Sequence, residues 1–144
     1  MSLEEELERL EESEKYRFYK LSREERERVL KILKSFLGER GEVVLAILYG
    51  SFLREHGFRD IDIALYIRGN IDPLNYKLAL EEELEKALKL PIDIKILNEA
   101  PPWFIKKVIE EGEILLEKTP LIAEKLYLRA LDEISLFMYK TRDQ

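Results

Sequence analysis

The chain has 144 residues, 46% of them hydrophobic, which fits one compact domain with an apolar core. It has no cysteine and a single histidine, so disulfide frameworks and zinc sites built on thiolates or histidine clusters are excluded, and a metal site would need oxygen ligands. The net charge of −6, with acidic and basic residues mixed along the chain, argues against a surface dedicated to duplex nucleic acid.

Two further features of the sequence bear on the source organism and the cellular compartment of the protein. Charged residues make up 38% of the chain while asparagine and glutamine are rare, a balance typical of thermophile proteins. The first residues lack the basic and apolar regions of a secretory signal peptide, and no apolar run has the length of a membrane span. We therefore expect a cytoplasmic protein without membrane segments.

The first third of the chain has helical patterns. Residues 1–20 are predicted to be a charged helical extension, because their leucines recur at helical spacing. Ser22 and Glu25 then form a capping-box pattern, and apolar residues follow at intervals of three and four. This predicts a helix over 23–37 that ends near Gly38.

Two strands are predicted in the middle of the chain. Residues 43–49 are a continuous apolar run of strand length, which indicates a strand buried on both faces. Residues 60–67 alternate, so that Asp60 and Asp62 share one face and the isoleucines take the other. Between these strands, a short helix over about 51–56 is predicted.

The second half of the chain continues the alternation of helices and strands. Asp72 is a predicted N-cap for a helix that starts at Pro73, and residues 92–97 form a strand with Asp93 on its polar face. The remaining predicted elements are a helix from 102 to about 112, a short strand over 113–117 and a C-terminal helix over 119–141. The pattern predicts a single α/β or α+β domain of residues 1–144, with a sheet covered by helices.

The acidic residues of the strands suggest a metal site. Asp60 and Asp62 lie two residues apart on one strand, so their side chains project from the same face about 6.5–7 Å apart at the backbone. Carboxylates so close repel each other unless a cation lies between them. If the strand that carries Asp93 is a neighbour in register, three carboxylates converge, and such a cluster can hold one or two hard metal ions with their phosphates.

Gly50-Ser51 follows the buried strand directly. Glycine lets the backbone approach a ligand closely, and Ser51 at the start of the predicted short helix would add a hydroxyl and backbone amides for an anion. A phosphate-binding turn therefore precedes a metal-binding pair, which is the arrangement that phosphoryl or nucleotidyl transfer requires.

Each feature alone also has a purely structural explanation. The aspartate pair can be a solvated strand face, Gly50-Ser51 an ordinary turn, and Asp93 with Lys95 a surface ion pair. The conjunction of all of them in one order along the chain favours the functional interpretation.

The segments Tyr49-Gly50-Ser51-Phe52-Leu53-Arg54 and Arg59-Asp60-Ile61-Asp62-Ile63-Ala64 resemble the Gly-Ser…Asp-x-Asp signature of the polymerase-beta nucleotidyltransferase superfamily. The small size resembles its minimal nucleotidyltransferase (MNT) branch, and the resemblance covers roughly residues 28–117. It implies a mixed sheet flanked by helices. The loop 52–59 departs from the family, because it is shorter than is common in this branch and carries larger residues after Gly-Ser.

The resemblance also implies roles for individual residues. Asp60 and Asp62 match the metal-binding pair, and Asp93 matches the third carboxylate, which binds the catalytic metal and helps to deprotonate the acceptor hydroxyl. Gly50 and Ser51 match the residues that contact the triphosphate. The implied cofactor is Mg²⁺, in one or two ions. The implied reaction joins a nucleoside monophosphate, with AMP from ATP expected, to a hydroxyl and releases pyrophosphate.

Many members of this branch resemble antitoxins paired with a helical HEPN toxin, and some add AMP to a tyrosine of that toxin. The resemblance therefore implies an antitoxin of a type VII-like toxin–antitoxin pair, with a HEPN toxin as the partner and acceptor. Two alternatives stay open: a catalytically silent antitoxin that neutralises its toxin by binding only, and an α/β interaction protein with acidic strand faces. The chain can also be part of a homo- or hetero-oligomer.

Further residues are candidates for a role at the predicted site. Arg54 and Arg59 flank it and are candidates for steering the triphosphate. His56 can contact phosphate or act as an acid, or it is a solvated loop residue. Trp103 can stack on a nucleobase, or it belongs to the core or an interface, and the same choice between core and partner surface applies to the apolar stripe over 122–138.

Overall fold

The computed structural model describes residues 2–15, 18–54 and 57–142, and the side chains of the first helix only as far as Arg9. The elements in chain order are α1 (Leu3–Lys15), α2 (Arg23–Gly38), β1 (Val43–Tyr49), a 3₁₀ turn (Gly50–Leu53), β2 (Ile61–Ile67), α3 (Pro73–Leu88), β3 (Ile92–Ile96), α4 (Pro102–Glu111), β4 (Glu113–Glu117) and α5 (Ile122–Arg142). Most of these bounds lie within a few residues of the predicted ones. The predicted N-terminal extension over 1–20 is not helical to its end, because Tyr19 pairs with Phe58 as an isolated β-bridge.

The described strands form one mixed sheet in the order β3-β2-β1-β4. β1 is antiparallel to both β2 and β4, whereas β2 and β3 are parallel. A parallel pair needs a long crossover connection, and α3 supplies it. The predicted fold class, a mixed sheet flanked by helices, is confirmed.

Helices cover both faces of the sheet. On one face, α2 and α3 pack on the sheet through buried residues such as Leu33, Leu37 and Leu84. On the other face, α4 and α5 cover Leu45 and Ile47 of β1. β1 and β2 are therefore buried on both sides, which explains why the sequence of β1 is continuously apolar.

Local capping signals fix the starts of α2 and α3 as predicted. The Glu25 amide donates to Oγ of Ser22 at 3.1 Å, and the Ser22 amide donates to Oε1 of Glu25 at 3.0 Å, which is a complete capping box. The Leu74 amide donates to Oδ1 of Asp72 at 3.2 Å. Both helices therefore begin with their free amides partly satisfied.

Carboxylates of α3 cover the outer edge of β3. The Ile92 amide donates to Oε1 of Glu85 at 3.1 Å, and the Ile94 amide donates to Oε2 of Glu81 at 2.8 Å. These side chains occupy the hydrogen-bonding positions that another strand would otherwise take. The edge strand is thereby held firmly against the crossover helix.

Of the two interpretations of the apolar stripe over 122–138, the core applies only to its first half. Ala123, Leu126 and Ala130 are buried, but the four consecutive residues 136–139 are 60–67% exposed. α5 has 21 residues and is about 31 Å long, whereas its packing partner α4 has 10 residues and is about 15 Å long. The end of α5 therefore extends past the surface on which it packs.

Two glycines provide a test of this packing. A Cβ at Gly112, between α4 and β4, would lie 2.5 Å from the Val108 carbonyl oxygen and 2.6 Å from Ile47, whereas a Cβ at Gly38 would meet nothing within 4 Å. We expect Gly112→Ala to lower the free energy of unfolding by about 2–3 kcal/mol through overpacking. Gly38→Ala should be neutral or stabilise by up to about 1 kcal/mol. Urea unfolding of both variants tests this, and equal stabilities would contradict the packing described for α4 on β1.

Candidate active site

Strand register brings three aspartates to one edge of the sheet. Asp62 of β2 is the direct partner of Asp93 in the parallel β2–β3 pair, so the predicted adjacency of these strands is present. Asp60 lies just before β2, which starts one residue later than predicted. One carboxylate oxygen from each of Asp60, Asp62 and Asp93 lies within 4.8 Å of the other two.

Burial and neighbouring carboxylates raise the pKa values of Asp60 and Asp62. Burial and then the charges of Asp60 and Asp93 raise the pKa of Asp62 to about 7. Burial and the charge of Asp93 also raise the pKa of Asp60. The site thus carries a negative charge that the protein alone offsets only in part, which is the electrostatic condition for binding a divalent cation.

Tyr49 forms a wall of the same site. It ends β1 directly opposite Asp62, and burial together with the charges of the three aspartates raises the pKa of its hydroxyl. Its ring meets Phe104 of α4 edge-on, with the centroids 5.8 Å apart. Tyr49 therefore stays neutral and presents an apolar, half-buried surface beside the carboxylates.

The backbone at Gly50 lies directly against Asp62. Gly50 has a φ of 78°, in the left-handed region that favours glycine. A Cβ at this position would lie 2.3 Å from Oδ2 of Asp62. Only glycine therefore lets the turn after β1 pass this close to the metal-binding candidates.

The predicted short helix over about 51–56 is wrong in type, and its last two residues lie outside the described residues. The turn is a single 3₁₀ turn over Gly50–Leu53, and it ends because Arg54 adopts an extended backbone while its amide donates to the Ser51 carbonyl at 3.0 Å. Such a short turn has little helix dipole. Phosphate contacts at Ser51 would therefore rely on its hydroxyl and on individual backbone amides, with the exposed Arg54 at the end of the turn.

Two phenylalanines that sequence reasoning did not single out anchor the loop between the turn and β2. Phe52 and Phe58 are both buried, and their rings pack edge to face with centroids 4.9 Å apart. The guanidinium of Arg26 lies 4.1 Å from the centroid of Phe52 and also donates to its carbonyl oxygen. Tyr19 exchanges backbone hydrogen bonds of 2.7 and 3.0 Å with Phe58. Phe52, one of the large residues that distinguish this loop from the family pattern, therefore serves as a core anchor.

Two lysines lie beside Asp93. Nζ of Lys95 is 3.6 Å from Oδ1 of Asp93, so these two residues of β3 form the ion pair that the sequence suggested. Nζ of Lys77, on α3, is 3.8 Å from the same oxygen. Sequence reasoning missed Lys77, because nothing in the sequence shows how α3 is rotated against β3.

The remaining candidate residues are not part of the triad of Asp60, Asp62 and Asp93. His56 lies outside the described residues. Trp103 is 65% exposed at the start of α4, so it is not a core residue, and its stacking on a nucleobase stays a prediction. Arg59 lies over the ring of Phe18, with its guanidinium carbon 5.1 Å from the ring centroid, and its charge offsets part of the rise in the pKa of Asp60.

The sequence of this chain matches the model of a known protein family. The family model described as polymerase beta, nucleotidyltransferase matches residues 31–121, well over half of the chain, and includes all three aspartates and the Gly-Ser turn. The chain belongs to the polymerase beta nucleotidyltransferase family. No curated protein matches the sequence.

Solved structures share the fold of this nucleotidyltransferase domain. One is the complex of a tri-AMPylated HEPN toxin with MNT antitoxin from Shewanella oneidensis, with a TM-score of 0.63 at 21% identity over 83% of this chain and 93% of that one. Another is a toxin–antitoxin structure with AMP-PNP, with a TM-score of 0.65 at 22% identity over 80% of this chain and 93% of that one. A third is a complex of MntA and HepT, with a TM-score of 0.60 at 20% identity over 85% and 94%.

Nothing in the described part of this nucleotidyltransferase indicates a membrane segment. None of its helices there has the combination of length and apolar character that crossing a bilayer requires.

The raised pKa of Asp62 predicts an unusual pH dependence of stability. An aspartate ionises near pH 4 in the unfolded chain but near pH 7 in the fold, so the folded state binds more protons in between and its stability falls as the pH rises from about 4 to 7. Without metal, Asp62→Asn should stabilise the protein at pH 8 by roughly 1–2 kcal/mol. This is less than the whole pKa shift would give at ~1.4 kcal/mol for each unit, because solvent screens a half-exposed carboxyl. At pH 4 the difference should disappear.

Urea unfolding in the presence of EDTA at several pH values measures this effect. Asp132→Asn, at an exposed position on α5, is the matched control and should leave the pH profile unchanged. An Asp62→Asn profile parallel to that of the wild type would contradict the described electrostatics.

Proposed function

We propose that this protein transfers AMP from ATP to a hydroxyl group of a partner protein and that it acts as the antitoxin of a type VII-like toxin–antitoxin pair. The convergence of Asp60, Asp62 and Asp93 within 4.8 Å, beside the Gly50-Ser51 turn, carries the proposal. Family membership supports nucleotidyl transfer as the type of reaction.

The donor set suits Mg²⁺. Three carboxylates supply only hard oxygen ligands, which Mg²⁺ prefers, and their mutual repulsion is relieved when a divalent cation binds among them. Bound there, Mg²⁺ would neutralise charge on the triphosphate during transfer. Asp60, Asp62 and Asp93 are the residues that would hold it.

The chain's own residues divide the remaining tasks. Asp93 accepts the proton of the acceptor hydroxyl, whose oxygen attacks the α-phosphorus of ATP. The bond between the α-phosphorus and the oxygen that bridges it to the β-phosphate breaks, and pyrophosphate leaves. Gly50 and Ser51 hold the triphosphate through backbone amides and a hydroxyl, and the exposed Arg54 attracts it. Tyr49 and Phe104 exclude water from one side of the carboxylates.

The structures that share this fold support the choice of nucleotide and acceptor. One contains a HEPN toxin that carries three AMP groups together with MNT antitoxin, and another contains AMP-PNP. We therefore expect ATP as the donor and a HEPN toxin as the acceptor and binding partner.

The direct test uses purified wild-type protein, the helical protein expected to be encoded beside it, Mg²⁺ and ATP labelled at the α-phosphate. Label should become attached to the partner, whereas ATP labelled at the γ-phosphate should transfer none, because pyrophosphate leaves. The double variant Asp60→Asn with Asp62→Asn should transfer more slowly by on the order of a hundredfold or more, since it loses both ligands of the predicted pair. Asp132→Asn should transfer as the wild type does.

Two outcomes would contradict the proposal. The first is absence of transfer by the wild type in the presence of Mg²⁺, and the second is equal transfer by the double variant. If the double variant still neutralises the toxin in cells, the protein is instead an antitoxin that acts by binding only.

A further inference from the structure

Lys77 lies between two carboxylates at the side of the site. Its Nζ is 3.8 Å from Oδ1 of Asp93 and 3.9 Å from Oε2 of Glu81. The side chain of Lys77 is only 24% exposed and that of Glu81 only 16%, so solvent screens these contacts less than it screens surface ion pairs. Lys77 is therefore held in place and is not a freely moving surface lysine.

A short network ties Lys77 to β3. Oε2 of Glu81, the atom nearest to Lys77, also accepts the amide of Ile94 at 2.8 Å. Ile94 is the residue after Asp93, so the same helix turn fixes both the backbone beside Asp93 and the cation that contacts its side chain. The position of Nζ relative to Asp93 thus follows from the packing of α3 on the sheet edge.

Both lysine contacts of Asp93 are made to the same carboxylate oxygen. Both Lys77 and Lys95 contact Oδ1, and the Lys95 side chain is 48% exposed, which makes Lys77 the better ordered of the two. Neither of these two ion pairs involves Oδ2. A carboxylate held by one oxygen keeps the other in a fixed direction.

We infer that Lys77 is a positioning residue that orients Asp93 and offsets part of the triad's negative charge, so that a divalent ion alone binds weakly and binds firmly only together with the triphosphate. This inference rests on the proposed function for its catalytic consequence. Its electrostatic part concerns the metal alone and can be tested without turnover.

Removal of Lys77 has opposite effects on metal binding and on transfer. The loss of a nearby positive charge makes the potential at the triad more negative, which strengthens the binding of a cation. The same loss leaves the more exposed Lys95 as the remaining lysine contact of Asp93, which loosens the orientation of the carboxylate and slows the step in which it accepts a proton. A lysine that only stabilised the fold would not produce a gain in metal affinity.

The test measures Mn²⁺ binding to the full chain without nucleotide, by calorimetry. Lys77→Met should bind Mn²⁺ about three- to tenfold more tightly than the wild type, as expected for one screened charge near the ion. Lys86→Met is the matched control, because Lys86 lies on the same helix but pairs with Glu82 on the exposed side, and its affinity should stay within about twofold. Lys77→Arg keeps the charge and should also stay within about twofold.

A second variant covers the case in which Lys77→Met fails to fold. Glu81→Gln keeps an oxygen acceptor for the Ile94 amide but removes the charge that draws Lys77 away from Asp93. Mn²⁺ affinity should then fall by about threefold or more, because Lys77 opposes the cation more effectively. Unchanged or tighter binding by Glu81→Gln, or unchanged or weaker binding by folded Lys77→Met, would overturn the inference.

Transfer assays test the positioning role. Lys77→Met should lower kcat by about tenfold while KM for ATP stays within about twofold, and Lys77→Arg should recover part of kcat. An unchanged kcat in Lys77→Met would overturn this role. If the wild type transfers no AMP, the proposed function fails, whereas the Mn²⁺ titrations still decide the electrostatic part independently.

Discussion

Mutual repulsion among three carboxylates is the constraint on which this structure depends. The register of β2 and β3 makes Asp62 and Asp93 direct neighbours, and burial together with the charges of Asp60 and Asp93 raises the pKa of Asp62 to about 7. A fold selected for stability alone would place an uncharged side chain here. The protein retains the cluster because the surrounding packing is strong enough to hold it, as is usual where electrostatic strain serves a function.

The rest of the fold explains how the cluster is held. β1 and β2 are buried on both faces, so the strand that carries Asp62 cannot shift without disturbing two apolar layers. Gly50 brings the turn after β1 against Asp62, and Phe52 and Phe58 anchor the two ends of the following loop in the core. The parallel pairing of β2 with β3 requires a crossover, and the crossover helix α3 also supplies Lys77 and Glu81 beside Asp93. Topology and site are therefore built from the same elements.

The elements with strong periodicity were predictable from the sequence, and so was the pairing of Asp60 with Asp62, because residues two apart on a strand share a face. The proximity of Asp93 followed only from an assumed strand adjacency, which the sheet order bears out. The length of the turn after Gly50 was not predictable, because the extended backbone of Arg54 depends on where the two flanking phenylalanines are anchored. Lys77 was missed for a similar reason, since the rotation of α3 against β3 is set by Glu81 and Glu85, whose partners are backbone amides with no sequence signal. The exposure of the end of α5 depends on the length of α4, which periodicity within α5 does not reveal.

The central claim is that Asp60, Asp62 and Asp93 hold divalent metal beside a triphosphate bound at Gly50-Ser51. A crystal structure of the wild-type protein with Mg²⁺ and an ATP analogue that carries a methylene group between its α- and β-phosphorus atoms tests it most directly, because the analogue cannot be cleaved there. At least one Mg²⁺ should be coordinated by oxygens of all three aspartates and of the triphosphate, at distances of about 2.0–2.1 Å, with the triphosphate over the Gly50-Ser51 turn. A triphosphate bound elsewhere, or bound at the turn without metal among the carboxylates, would contradict it.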